Sequence, residues 1–183
     1  MVCEEMKTNI VLIGFMGAGK TEVGRILAIN LGFNFLDIDA LIEKYEEMSI
    51  TEIFKKKGEK YFRNLETKIL NSIKETIKGF ELSGKDKPSV ISTGGGMPAF
   101  NGNMKLLKNI GTVIYLKADA RTIYERIKSE THRPVLGADG FTLKSVSDKL
   151  SEREKIYEKA DIIIYTEGLT PLSAAEEIKI FLN

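Results

Sequence analysis

Gly14, Gly19, Lys20 and Thr21 stand in the pattern G-x-x-x-x-G-K-[ST] within "GFMGAGKT", directly after the short apolar run "NIVLI". Glycines at these places let successive backbone N–H groups curl around an anion. A helix opening at the lysine turns its positive end toward the same point. The chemistry that fits is the cradling of a nucleotide's phosphates. Lys20 would reach the β- and γ-phosphates and the Thr21 hydroxyl would ligate magnesium, with Gly17, Ala18 and Glu22 beside them as further nucleotide-site candidates. A nucleotide held in this way needs an acceptor for its terminal phosphate, and three further clusters bear on it.

In "FLDIDALIE", Asp37 and Asp39 lie two apart at the end of a second apolar run. On a strand that spacing sets both carboxylates on one face, at the edge of the ligand crevice of a parallel sheet. One would hold magnesium and the other would accept a hydroxyl proton; the same pair also fits a strand exit followed by a helix cap. In "GEKYFRNLE", Arg63 and Glu66 are one helical turn apart. That fits a surface ion pair, and equally an arginine aimed at an acidic acceptor and oriented by the glutamate. In "STGGGM", Gly94, Gly95 and Gly96 follow a third apolar run, and consecutive glycines permit close approach of backbone to a ligand.

The elements that must position these residues alternate along the chain. Five short runs, "NIVLI", "FNFL", "SVIS", "TVIYL" and "DIIIY", are apolar without polar alternation, as in parallel strands covered on both faces. Helical periods lie between them. Val23, Ile26, Leu27 and Leu31 share one face before Gly32, and Phe62, Leu65, Ile69 and Ile73 stripe a longer helix. Ser49 with Glu52 reads as a capping box, Asp119 as the cap of "ARTIYERIK", and Thr170 with Pro171 as the start of the last helix. Strand–helix alternation predicts a doubly wound α/β sheet. The stretches "SGKDKP" (83–88) and "HRPVLGADG" (132–140) read as loops.

The chain has 183 residues, enough for one domain with a full core, and is 43% hydrophobic and 29% charged. A net charge of +1 gives no long basic footprint for nucleic acid or a membrane surface. The single cysteine, Cys3, excludes an internal disulfide and a cysteine-based zinc site, and suits a reducing compartment. The opening "MVCEEMK" lacks a signal-peptide layout, and no apolar run approaches the roughly 20 residues of a membrane span. A cytoplasmic location is the expectation.

Taken together, "GFMGAGKT", "FLDIDALIE", "IFKKKGEKYFRNLE", "STGGG", "RPVL" and "REKIYEKAD" occur in the order and near-spacing of the bacterial-type shikimate kinases, which the chain resembles over nearly its whole length. The resemblance implies a three-layer α/β/α P-loop kinase fold with a five-stranded parallel sheet in the order 2-3-1-4-5. It implies a single domain spanning 1–183, with a core at about 7–131 and 157–183, an acceptor-binding segment at about 37–66 and a mobile lid at about 132–145. It also implies transfer of phosphate from Mg-ATP to the 3-hydroxyl of shikimate, a step toward chorismate and the aromatic amino acids, by a monomer. Carried over by motif, Asp39 binds the acceptor hydroxyls and Asp37 supports magnesium. Arg63 and Arg153 clasp the shikimate carboxylate, and Gly95, between Gly94 and Gly96, donates its N–H to the acceptor. Arg133 reaches the ATP phosphates from the lid, and Arg126 and Pro171 sandwich the adenine. Lys20, Asp39 and Arg133 are then the catalytic residues.

An arginine fork suits a carboxylate, and in-line transfer asks mainly for positioning and positive charge. The sequence departs from the family pattern at Lys155, where a proline is usual between Arg153 and Tyr157. The single histidine, His132, reads as a surface residue of the lid. The D-x-D element is shared with gluconate-type kinases, so a kinase of another small hydroxy acid is the alternative, followed by a nucleotide-binding regulatory module without catalysis.

Overall fold

The computed structural model describes residues 9–83, 87–128 and 142–182. In chain order the elements are β1 (Asn9–Ile13), α1 (Lys20–Leu31), β2 (Asn34–Asp37), α2 (Ile38–Glu46), α3 (Ile50–Ser83), β3 (Ser89–Ser92), a 3₁₀ turn (Met97–Ala99), α4 (Asn103–Ile110), β4 (Gly111–Lys117), α5 (Ala120–Lys128), α6 (Leu143–Tyr157), β5 (Ile162–Tyr165) and α7 (Pro171–Leu182). The strands form a parallel sheet in the order β2-β3-β1-β4-β5. This is the architecture implied by the resemblance. The chain switches direction across the sheet at β1, so the loops leaving β1 and β3 open side by side into one crevice.

Alternation along β1 explains the three layers. Ile10 and Leu12 pack with Val23, Leu27, Ala28, Ala175 and Ile178 of α1 and α7. Val11 and Ile13 face the other way, onto Ile38, Ile42, Phe62, Leu65, Leu107 and Val146 of α2, α3, α4 and α6. Both faces of the strand are covered, which is why its run is apolar at every position.

The caps read from sequence are formed. Gly32 ends α1 in the left-handed conformation with φ 67°. Ser49 and Glu52 bond reciprocally at the start of α3, Asp119 accepts from the Thr122 N–H at 2.6 Å, and Thr170 accepts from the Ser173 N–H at 3.1 Å. Helix α3 changes direction at Gly58, whose φ of 79° and ψ of 167° are not helical. The "FRNLE" stretch therefore follows a break and takes its own axis.

Of the two readings of Asp37 and Asp39, the structure shows the strand exit with a helix cap and corrects the shared strand face, because β2 ends at Asp37 and the chain turns into α2 at Ile38. The cause is Asp37 itself, whose carboxylate accepts from the Ala40 N–H at 3.2 Å and so caps α2. Asp39 then lies in the first turn of a helix. In the expected lid segment, Arg133, His132 and the rest of 132–141 lie outside the described residues, as does Cys3. The end of that segment is helical, since Thr142 caps α6 through a reciprocal bond with Ser145. Among the described residues no helix is long and apolar enough to cross a membrane.

Candidate active site

The phosphate loop closes on itself. The Ala18 N–H donates to the Phe15 carbonyl at 3.2 Å, and the buried Lys20 ammonium donates to the same carbonyl at 2.9 Å. Gly19, at the cap position of α1, has φ 86° and ψ 13°, a conformation that a side chain would strain. The α1 N-terminus is thereby presented to the crevice without a side-chain cap.

Beneath the loop, the Thr21 hydroxyl donates to Asp37 Oδ2 at 2.7 Å, and Ser92 Oγ lies 3.5 Å from the same hydroxyl. Hard oxygens from α1, β2 and β3 thus converge beside the phosphate site. This donor set suits a small divalent cation that keeps most of its ligands as water and phosphate. Ser92 was not singled out from sequence; its place at the end of β3 was the available signal.

The acceptor side is built by α2, α3, α6 and the glycine turn. Arg63 is 7% exposed and Glu66 is 0% exposed. Arg63 Nη1 donates to Glu66 Oε2 at 3.0 Å, while Nη2 and Nε donate to Glu59 Oε1 at 3.1 and 3.2 Å. The Arg63 guanidinium also sits 4.4 Å from the centroid of the Phe100 ring. The ion pair at 63 and 66 is therefore internal, which discards the surface-pair alternative. Burial pushes the Glu66 carboxyl up to about 7; Arg63 pulls it down, neighbouring Asp39 adds to the rise, and Arg153 lowers it.

The glycine turn fits against these side chains with no room to spare. A Cβ on Gly94 would lie 2.6 Å from Asp39 Oδ1 and 3.1 Å from Glu66 Oε1, and one on Gly96 would lie 2.5 Å from Arg63 Nη1. The turn is anchored by Asn103, which donates to the Met97 carbonyl at 3.1 Å and accepts from Thr67 at 3.0 Å. Arg153 on α6 lies 5.5 Å from the Phe15 ring of the phosphate loop. Helix α6 runs through Lys155, which supplies a backbone N–H where the family usually has proline.

These groups open on one cavity of about 1170 Å³. Gly17, Ala18, Gly19, Lys20, Thr21, Glu22, Asp39, Arg63, Gly94, Gly95, Gly96, Arg126, Arg153 and Pro171 all line it. Asp37 is not in the lining and communicates through Thr21. At the other end, Arg126 donates to the carbonyls of Gly17 and Thr166 at 3.3 and 3.4 Å, beside Pro171. Glu66, Phe54 and Lys149 also line the cavity.

A parallel sheet in this order, a phosphate loop on its central strand and a second charged pocket facing that loop define a P-loop kinase of small molecules. A family model for shikimate kinase matches residues 16–183. The chain is 46% identical to the shikimate kinase of Thermodesulfovibrio yellowstonii over 93% of its own length and 92% of that protein's. It is 45% identical to that of Persephonella marina, over 93% and 96%. The solved shikimate kinase of Acinetobacter baumannii, in complex with shikimate, superposes with a TM-score of 0.86 at 35% identity, covering 97% of this chain and 94% of that one. The chain belongs to the shikimate kinase family.

Proposed function

We propose that this protein moves the γ-phosphoryl group of ATP to the 3-hydroxyl of shikimate, giving ADP and shikimate 3-phosphate. The observation that carries this reading is the joining, in one cavity, of a phosphate loop with a pocket holding Asp39, Arg63 and Arg153. The N–H groups of Gly17 and Gly19 and the α1 N-terminus hold the phosphates, joined by the Ala18 N–H once it leaves the Phe15 carbonyl. Lys20 leaves the Phe15 carbonyl to reach the β- and γ-phosphates as they arrive, an exchange of a neutral acceptor for an anionic one. Arg126 and Pro171 flank the base, and Glu22, in the first turn of α1, completes the nucleotide side of the lining.

Thr21 and Asp37 are the residues that would hold magnesium. When bound, the ion neutralises charge on the phosphate oxygens and helps fix their orientation. Arg63 and Arg153 grip the shikimate carboxylate, and Gly95 offers its N–H from the turn between Gly94 and Gly96. Asp39 orients the acceptor hydroxyl and takes its proton as the new P–O bond forms and the bond to the ADP oxygen breaks. Arg133, in the segment outside the described residues, is the proposed lid contribution to the phosphates.

The test is ADP release with ATP and magnesium, with shikimate present and absent and gluconate as control. Turnover that needs shikimate supports the reading. Turnover that needs gluconate would overturn it, as would none with either acid.

A further inference from the structure

Tyr157 is fully buried at the end of α6, and its hydroxyl donates to the carbonyl oxygen of Gly95, 62 residues away in sequence. Its ring packs on Tyr115 of β4, centroid to centroid 5.1 Å at 39°. Arg153 lies four residues earlier on the same helix, so the two side chains share one helix face. The phenol therefore joins the helix that supplies an acceptor arginine to the turn that lines the acceptor pocket.

The carbonyl it chooses has a particular place. The Met97 N–H donates to the Gly94 carbonyl at 3.1 Å, closing a four-residue turn with Gly95 and Gly96 at its centre. Gly96 has φ −86° and ψ −20°, the values of the third residue in a type I turn. With glycine there, the type II form is equally open to the chain, and the two differ by rotation of the central peptide through about 180°. That peptide is Gly95–Gly96, the one whose oxygen Tyr157 holds. Rotation would break the bond and invert the dipole that the turn offers to the acceptor half of the cavity. The turn also abuts the phosphate loop, since a Cβ on Gly95 would lie 2.8 Å from the Met16 nitrogen and 3.3 Å from the Phe15 carbonyl carbon. Its conformation thus bears on how acceptor and donor meet.

We infer that Tyr157 is a positioning residue for phosphoryl transfer, its hydroxyl selecting one of two peptide orientations in the glycine turn. The triplet allows backbone to approach the ligand, and Tyr157 removes the ambiguity that the glycines bring. This rests on the shikimate kinase reading for its substrate and on the turn geometry for its mechanism.

The test is Tyr157→Phe, which deletes the hydroxyl and keeps the ring on Tyr115. Two readouts are taken beside wild type. Steady-state kinetics should show kcat/KM for shikimate falling about ten-fold, the loss expected for one buried hydrogen bond, while KM for ATP stays within about two-fold. Equal losses toward both substrates, or no kinetic change, would overturn the inference. Amide exchange followed by mass spectrometry over 93–99 should speed up in the variant, while peptides from α1 and β4 keep their protection. Unchanged exchange in the turn would overturn it whatever the acceptor is. Wild type inactive with shikimate would sink the substrate reading alone, and the exchange comparison would still decide the role of Tyr157.

Discussion

Replacing Glu66 by glutamine is expected to flatten the dependence of stability on pH between about pH 5 and about pH 8. Glutamine keeps the shape of the side chain and an oxygen for Arg63, and removes only the ionisation. The Glu66 carboxyl has 0% exposure, and burial raises it from 4.5 to about 7. A carboxyl raised in this way holds its proton more tightly in the folded chain than in the unfolded one. Its stabilising contribution is complete below 4.5 and is lost as pH climbs through about 7. Over the interval from about pH 5 to about pH 8, the loss integrates to about 2.5 kcal/mol. In a chain of this size each kcal/mol moves Tm by about 2–4 °C, so wild type should fall by about 5–10 °C relative to Glu66→Gln. Thermal melting by circular dichroism, both proteins in the same buffers, measures that difference and cancels the other titrating groups. A difference that stays flat would mean that the Arg63 guanidinium, 3.0 Å away, keeps Glu66 ionised throughout, and the reasoning from burial would fail.

Arg63→Ala should raise the shikimate KM about thirty-fold or more, because a charged two-point contact is worth about 2–4 kcal/mol, and leave the ATP KM nearly unchanged; equal loss for both would make Arg63 a structural residue. Asp39→Asn should lower kcat by about 10²-fold or more, the range of a lost proton acceptor, and an unchanged kcat would remove Asp39 from that role. Gly94→Ala places a Cβ 2.6 Å from Asp39 Oδ1, the mobile end of a side chain, so the fold should survive while Asp39 is displaced. The expected signature is a Tm within about 3 °C of wild type with kcat/KM for shikimate reduced at least ten-fold, and intact activity would show that the pocket tolerates the shift.

The parts of this molecule legible in sequence are those encoded locally. Each strand carries an uninterrupted apolar run because both faces are covered, as with Ile10, Val11 and Leu12 serving opposite layers. The phosphate loop is legible because its geometry needs glycine at fixed places. Helix α4 was not, since its cap residue is Gly102, which offers no side-chain bond, and its apolar pattern of Met104, Leu107 and Ile110 spans barely two turns. The start of α6 falls within the expected lid segment at about 132–145 because its capping box uses Ser145 where glutamate or glutamine is the usual signal. The two aspartates leave sequence with two readings for a different cause: period-two reasoning assumes the strand continues, and Asp37 stops it by capping α2. The bond from Tyr157 to Gly95 and the crowding of Glu66 against Asp39 join residues far apart in the chain, so no window of sequence contains them.

The charge states in the acceptor pocket bear on why it should prefer an acid. Arg63 and Arg153 bring two positive charges, and Asp39 and Glu66 bring carboxyls; burial, and to a lesser extent Asp39, raises the proton affinity of Glu66. Glu59 also pairs with Arg63, but its side chain is 55% exposed, so water screens it and its counter-charge is worth less. Below about pH 7, where Glu66 holds its proton, the carboxylate facing Arg63 from Glu66 is neutralised, and an incoming carboxylate takes up the exposed charge of Arg63 and Arg153. A carboxylate arriving at Arg63 in turn screens the cation that was pulling Glu66 down, which favours the proton there still further. Acid and proton then bind with positive coupling. A neutral polyol gains nothing from that arrangement and must still displace water from two cations. The buried glutamate thus does more than orient its arginine: in its protonated form it leaves the Arg63 cation less opposed, which favours an acidic ring over a neutral one.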